Sequence, residues 1–429
     1  MSNRTGLTLV EMLVVVAVTL VFMFALTQVF ALLGDGITSG RALIELNAQK
    51  RAITLRLQSD LDNISVPAIP WATLQNGGGY LEIFEGPRTD KDTNNNGTAD
   101  VNEPSFDTRY GDYDDVIMFT ARSYDVPFVG RTQLATSPTV ESNIAEIVWW
   151  TYLSEQDDLN DDGVLDPGET KTLYRRVLLV KPELANEMLS LSTVSRDEFF
   201  RNNDISARWE NGTWVPNALA DLTKRENRFS HNPTKFPHAL YPSDPNDPND
   251  LLKPFAPGSE REGDDVMLTR VLAFDVRVFD PLAPLDVDVG TQILSPSDPD
   301  WHPPSNPNDP IVPRGAYVDL HYAGNAPLSY SAFSGPPNAK SLLDTAPKGG
   351  TYCTWSFHYE HDGKPVGVPH DLGTNGFDDD GRNGVDDPGE RETSPPYPVR
   401  LRGMQVRIRV YEPDSQTVRQ STVTTTFSQ

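Results

Sequence analysis

Residues 7–33 form an apolar run in which the only charged side chain is Glu11. Coiled at about 1.5 Å per residue, that run is roughly 40 Å long, enough to cross a hydrocarbon layer of about 30 Å. The chain is therefore expected to carry one membrane-length helix at its N-terminus, with the rest folded outside. A carboxylate inside such a helix costs at least a few kcal/mol and persists where a partner charge or a mechanism retains it. A cleaved secretory signal would be shorter and would end in a small-residue site of the A-x-A type, which this run lacks.

What precedes the run is short and polar, with Arg4 and then Gly6; Leu7 opens the apolar stretch, and Glu11 is the fifth residue after Gly6. This combination resembles the N-terminus of type IV prepilins and type II secretion pseudopilins. The resemblance implies cleavage between Gly6 and Leu7 by a membrane-embedded prepilin peptidase, which also methylates the new amino terminus. It further implies that Glu11 pairs with the terminal ammonium of a neighbouring subunit and so sets the axial register. Leu7 stands where that family most often has Phe.

A formal net charge of -25 argues against nucleic acid or an anionic membrane surface as a partner and favours cations. A chain of 429 residues can bury a sizeable core in one or two domains. With Cys353 as the single cysteine no intramolecular disulfide exists, and its place in a strand-like run reads as a small core residue.

After Gly34, Gly36 and Gly40, expected to loosen the helix, a second helical stretch is predicted from Arg41 to Asn63. Leu43, Leu46, Ile53, Leu57, Leu61 and Ile64 give it one apolar stripe, and Pro67 and Pro70 are expected to end it. Strands are predicted at 81–84, 115–122, 144–153, 172–180, 267–279, 316–322, 352–359, 405–411 and 417–425, the last two joined by a turn at Glu412 to Gln416. Trp149 and Trp150 are adjacent in a strand, which sends one into the core and leaves the other at the surface or an interface. Two Pro/Asp/Asn-rich stretches, 243–250 and 294–310, read as solvated loops. The order of the strand-like pieces resembles large J-type minor pseudopilins and W-type minor pilins.

The fold expected is therefore α+β and pilin-like. A leader (1–6) precedes a membrane or filament-core helix (7–34) and an amphipathic helix (35–66), packed on an antiparallel β-rich head (67–429) with long loop insertions.

Three acidic loops stand out in that head. Asp92, Asn94, Asn96, Thr98, Asp100 and Glu103 occupy positions one, three, five, seven, nine and twelve of a calcium loop, with Gly97 at six. The pattern recurs at Asp158, Asn160, Asp162, Val164, Asp166 and Glu169, with four ligand carboxylates against three in the first loop, and so predicts the tighter site. A degenerate third loop offers Asp379, Asn383, Val385, Asp387 and Glu390, with Gly381 where a third side-chain oxygen belongs. Ca²⁺ is the expected structural cofactor: it neutralises clustered carboxylates and closes a long loop.

His358 and His361 are three apart on a strand-like run, which points them to opposite faces. No Walker loop, dinucleotide fingerprint, G-x-S-x-G or H-E-x-x-H occurs, and no enzymatic activity is expected. The expected partners are other pilin or pseudopilin subunits, the prepilin peptidase, the inner-membrane assembly platform, and membrane lipid before assembly. The head would face the periplasm and, being bulky, would sit near a filament tip. The alternative is a membrane-tethered, calcium-dependent adhesin or scaffold.

Overall fold

The computed structural model describes residues 8–70, 78–86, 109–134, 138–154, 157–159, 165, 168–191, 193–231, 251–287, 293–298, 301, 313–324, 328–337, 350–354, 384–385 and 395–427. One helix, α1 (Leu9–Asp62), runs unbroken for 54 residues, about 80 Å at the ordinary helical rise. The expected loosening at Gly34, Gly36 and Gly40 is not seen, and nothing lies within 4 Å of the Cβ each would carry. Each glycine costs about 1 kcal/mol against alanine, too little to break a helix whose flanking residues continue it on both sides.

The two halves of α1 differ in their surroundings. From Leu9 to Leu33 every large apolar side chain is exposed. From Leu46 onward, Leu46, Ile53, Leu57 and Leu61 are buried against the sheet. Asn63 caps the helix end, and the chain then runs beside a strand, with Ser65 N donating to Thr120 O and Arg122 N to Asn63 O. The helix thus stops ahead of Pro67.

The strands are β1 (Leu81–Phe84), β2 (Val116–Arg122), β3 (Phe128–Arg131), β4 (Thr139–Ser142), β5 (Ile144–Tyr152), β6 (Lys171–Leu179), β7 (Ala207–Glu210) and β8 (Thr213–Pro216). They continue with β9 (Val266–Pro284), β10 (Asp286–Val287), β11 (Ile293–Leu294), β12 (Arg314–Val318), β13 (Thr351–Cys353), β14 (Gly403–Glu412) and β15 (Thr417–Thr426). Among the described residues nine of these strands build one antiparallel sheet in the order β13-β1-β2-β5-β6-β9-β14-β15, with β12 also paired to β9, and the other six form the two-stranded pairs β3–β4, β7–β8 and β10–β11. The terminal hairpin β14–β15 closes one edge, as expected.

Both faces of the sheet are covered. One packs on α1 through Ile117, Phe119, Ile147, Trp149, Phe274, Val276 and Val278. The other packs on residues 180–231 and 251–255, which include the short helices α2 (Ala185–Met188) and α3 (Arg196–Asn202) and the β7–β8 hairpin. Trp150 points into this second core with Phe199, Phe200, Trp214 and Phe229, so both tryptophans are buried. The expectation that one would reach the surface fails because this second layer is built from helices too short to show a period.

The stretch 294–310 is not wholly solvated either. Leu294 pairs with Asp286, and buried Trp301 donates from Nε1 to Pro284 O at 3.0 Å. Residues 243–250 lie outside the described residues.

Two buried ionic contacts fix the layers. On the helix side, Asp60 accepts from Trp149 Nε1 at 3.0 Å and from Arg175 Nε at 2.6 Å and Nη2 at 2.9 Å. On the other side Glu82 of β1 meets Arg225, Arg228 at 3.0 Å and His231 Nε2 at 3.0 Å, all buried, while Arg228 also donates toward Cys353 Sγ. Burial opposes ionisation of Glu82, yet Arg225, His231 and Arg228 together hold its carboxyl well below the usual range. Burial lowers the His231 imidazole in turn, against the upward pull of Glu82.

Asp60→Ala should therefore cost about 3–5 kcal/mol, because it strands a buried guanidinium and an indole N–H. Urea unfolding of the detergent-solubilised chain, followed by tryptophan fluorescence, measures this, and Asp60→Asn, which keeps an acceptor, should cost less. Glu82→Gln should cost a similar amount at neutral pH. The Glu82 contribution is complete above the unfolded value of about 4.3 and is lost as pH falls through the lower folded value. His231 acts in the same direction, complete above about 6.5 and declining below it. The Glu82 share of the stability gap between wild type and Glu82→Gln should accordingly stay level from pH 7 to about 4.3 and shrink below it, read as the difference between their urea midpoints.

Candidate functional site

At the N-terminus, Thr8 and Glu11 form a capping box. The Glu11 carboxylate accepts from Thr8 N at 2.8 Å and Thr8 Oγ1 at 3.0 Å, and Thr8 Oγ1 accepts from Glu11 N at 3.3 Å. The carboxylate is thereby turned back toward the start of the chain. Gly6 and Leu7 lie outside the described residues. Capping gives Glu11 a use within a single chain, and it leaves the carboxylate exposed beside the helix N-terminus.

Of the three acidic loops, the first (Asp92, Asn94, Asn96, Thr98, Asp100, Glu103) lies wholly outside the described residues. In the second, Asp158 and Glu169 are described, whereas Asn160, Asp162, Val164 and Asp166 are not. Its two ends meet: Glu169 Oε1 accepts from Leu159 N at 2.8 Å, and Tyr110 Oη donates to Glu169 O at 2.6 Å. Leu165, at loop position eight, is buried with Tyr110, Tyr113 and Leu272. The loop is therefore closed at its base, where the amide at position two meets the carboxylate at position twelve, and pinned at one apolar side chain. In the third loop only Gly384 and exposed Val385 are described; Asp379, Asn383, Asp387 and Glu390 are not, nor are His358 and His361.

A further carboxylate group was not singled out by its sequence. Glu85 follows β1, Asp112, Asp114 and Asp115 lead into β2, Asp275 and Arg277 lie on β9, and Asp319 follows β12. One carboxylate oxygen from each of Glu85, Asp112 and Asp319 lies within 4.8 Å of the others, and the same holds for Asp112, Asp114 and Asp115. Glu85, Asp112, Asp115 and Asp319 are all buried.

The backbone explains part of this convergence. The segment 111–115 runs alongside β9, with Gly111 N donating to Leu272 O and Phe274 N to Asp112 O. Asp115 then accepts from Val276 N at 2.6 Å and Gly86 N at 3.1 Å, and Glu85 Oε2 accepts from Leu320 N at 3.0 Å. Arg277 reaches Asp275 at 2.9 Å and Asp319 at 3.1 Å. Burial, then Asp115, Asp319 and Asp275, push the Glu85 carboxyl well up. Burial, then Asp115, Asp114 and Glu85, do the same to Asp112. Asp115 is raised by burial and by Asp114 and Asp275, against the pull of its two amide donors.

No family model, characterised protein or solved structure matches the chain. The run Asp112-Tyr-Asp-Asp115 was the one local signal for this site. Glu85 and Asp319 are too far from it in sequence for any spacing motif to join them.

Gly86 is the tightest point. A Cβ there would sit 2.1 Å from Asp114 Cγ and Oδ1. Gly86→Ala should consequently displace the Asp112 to Asp115 segment and cost about 1–3 kcal/mol, measured by thermal unfolding of the full chain.

Proposed function

We propose that the chain is a minor pilin-like, pseudopilin subunit of a type II secretion pseudopilus or type IV pilus. It would be processed after Gly6 and assembled through its N-terminal helix. The observation that carries this reading is the division of α1 into an apolar half whose large side chains are exposed and a half fixed to a sheet. A helix apolar on all sides needs lipid or other helices as its surroundings, and α1 is long and apolar enough to span a membrane.

In this reading the single-pass precursor sits in the inner membrane with its head in the periplasm. After cleavage the exposed half of α1 exchanges lipid for the helices of other subunits. The chain catalyses no reaction. Glu11, which the capping box already turns toward the start of the chain, pairs with the methylated Leu7 ammonium of its neighbour, an attraction strengthened in low dielectric. The two covered faces and long insertions of the head favour a place near the tip, where few copies must pack side by side. The closed base of the second acidic loop supports Ca²⁺ as a structural cofactor there.

Mass spectrometry of the N-terminal peptide, from protein coexpressed with its own prepilin peptidase, tests the reading. A peptide beginning at methylated Leu7 is expected; an intact Met1 leader, with the peptidase active on another substrate, overturns it. Gly6→Val should leave the precursor uncut. Glu11→Gln keeps the capping-box geometry while removing the charge, so it should be cleaved yet fail to enter filaments, and normal assembly of that variant would refute the register role.

A further inference from the structure

We propose that Glu85, Asp112 and Asp319 bind one Ca²⁺ ion, in a buried site separate from the three acidic loops. Ca²⁺ holds oxygens at about 2.3–2.6 Å, so two oxygens on one ion can be no more than about 5 Å apart. The three carboxylates meet that requirement, with one oxygen of each within 4.8 Å of the others.

A cluster of carboxylates needs more than proximity to be a site, and Glu85 supplies it. Its side chain is 2% exposed, one oxygen accepts from Leu320 N, and the other, Oε1, has no hydrogen-bond partner among the described residues. A buried, unsatisfied carboxylate oxygen among other carboxylates costs several kcal/mol unless a cation or a proton meets it. Gly86 is a second indication. The absence of a side chain there lets the Asp114 carboxylate lie against the backbone next to Glu85, extending the group of oxygens on that side.

The chemistry of the donors selects the ion. All are hard carboxylate oxygens with no histidine or thiolate among them, which suits Ca²⁺ or Mg²⁺ over zinc or copper. Mg²⁺ demands near-octahedral geometry and keeps several waters, whereas these side chains converge in a buried place from three separate stretches of chain. That convergence favours Ca²⁺, with its larger and more tolerant shell. Arg277, bonded to Asp275 and Asp319, would orient the Asp319 carboxylate from outside the shell. The resistance of the Glu85 and Asp112 carboxyls to ionisation has the same origin as the proposed affinity: buried negative charge that a divalent cation offsets.

The test counts bound Ca²⁺ in the full-length detergent-solubilised chain, stripped with EGTA and dialysed against CaCl₂, alongside its melting temperature. Glu85→Gln should bind one ion fewer than wild type, whereas Glu169→Gln, in the second loop, should retain the buried ion. In EGTA, Glu85→Gln should melt at or above wild type, because one repelling carboxylate is gone; in Ca²⁺ it should melt below. Equal ion counts in folded wild type and Glu85→Gln overturn the proposal, as does a larger stabilisation by Mg²⁺ than by Ca²⁺. Should Glu85→Gln fail to fold, a chain carrying Asp92→Ala, Asp158→Ala and Asp379→Ala decides the matter. One ion per chain supports the buried site, and none overturns it.

Discussion

Every amide along β9 must find an acceptor, and a strand of nineteen residues outruns any single neighbour in this sheet. On one edge β14 serves residues 271–278. On the other edge three partners follow one another: β6 to about Val271, the segment 111–115 as far as Val276, and β12 from Val278. The β6 register shifts near Arg270, whose φ of 60° lets the strand change neighbours there. Where the backbone of one partner ends before the next begins, a side chain completes the ladder, and Asp115 does so for Val276. The convergence of carboxylates follows from this succession, because each change of partner brings another chain segment to one place.

The covered second face has a different consequence. A sheet buried on one side can leave its polar residues in water, as alternating strands usually do. Here Glu82 and Glu146 lie on strands with both faces packed, so each requires partners from the opposing layer. Glu82 takes Arg225, Arg228 and His231, while Glu146 takes the hydroxyls of Tyr80 and Ser206 and the amide of Phe229. Such pairs add little net stability against an apolar substitute, but once present they punish any other docking of the two layers.

The parts legible from residues alone were those with a local period. The membrane-length run, the helix stripe at Leu46, Ile53, Leu57 and Leu61, and most strands of the main sheet were readable because each repeats within a short window. The second layer was not, since α2 and α3 span too few residues to show 3.6-residue spacing. The tryptophan pair was misjudged for the same reason: alternation assigns opposite faces correctly but does not reveal that both faces are covered. The buried carboxylates depended on tertiary pairing, with Glu85 and Asp319 brought together by β1, β9 and β12. By contrast the acidic loops stand out as patterns by spacing alone, and Leu165 at position eight of the second is an anchoring residue that spacing did not single out.

The manner in which α1 is held has a mechanical side. Its buried contacts begin at Leu46 and end at Leu61, with Lys50 Nζ reaching Gln420 O at 3.2 Å and Asp60 gripped by Trp149 and Arg175 at the far end. Tension applied to the exposed half along the helix axis runs parallel to this interface, so apolar contacts and ionic clamp share the load in shear instead of opening one after another. A sideways pull would meet them in sequence and peel the helix from its first turn of contact. The head is therefore mounted to resist force along the direction in which α1 projects.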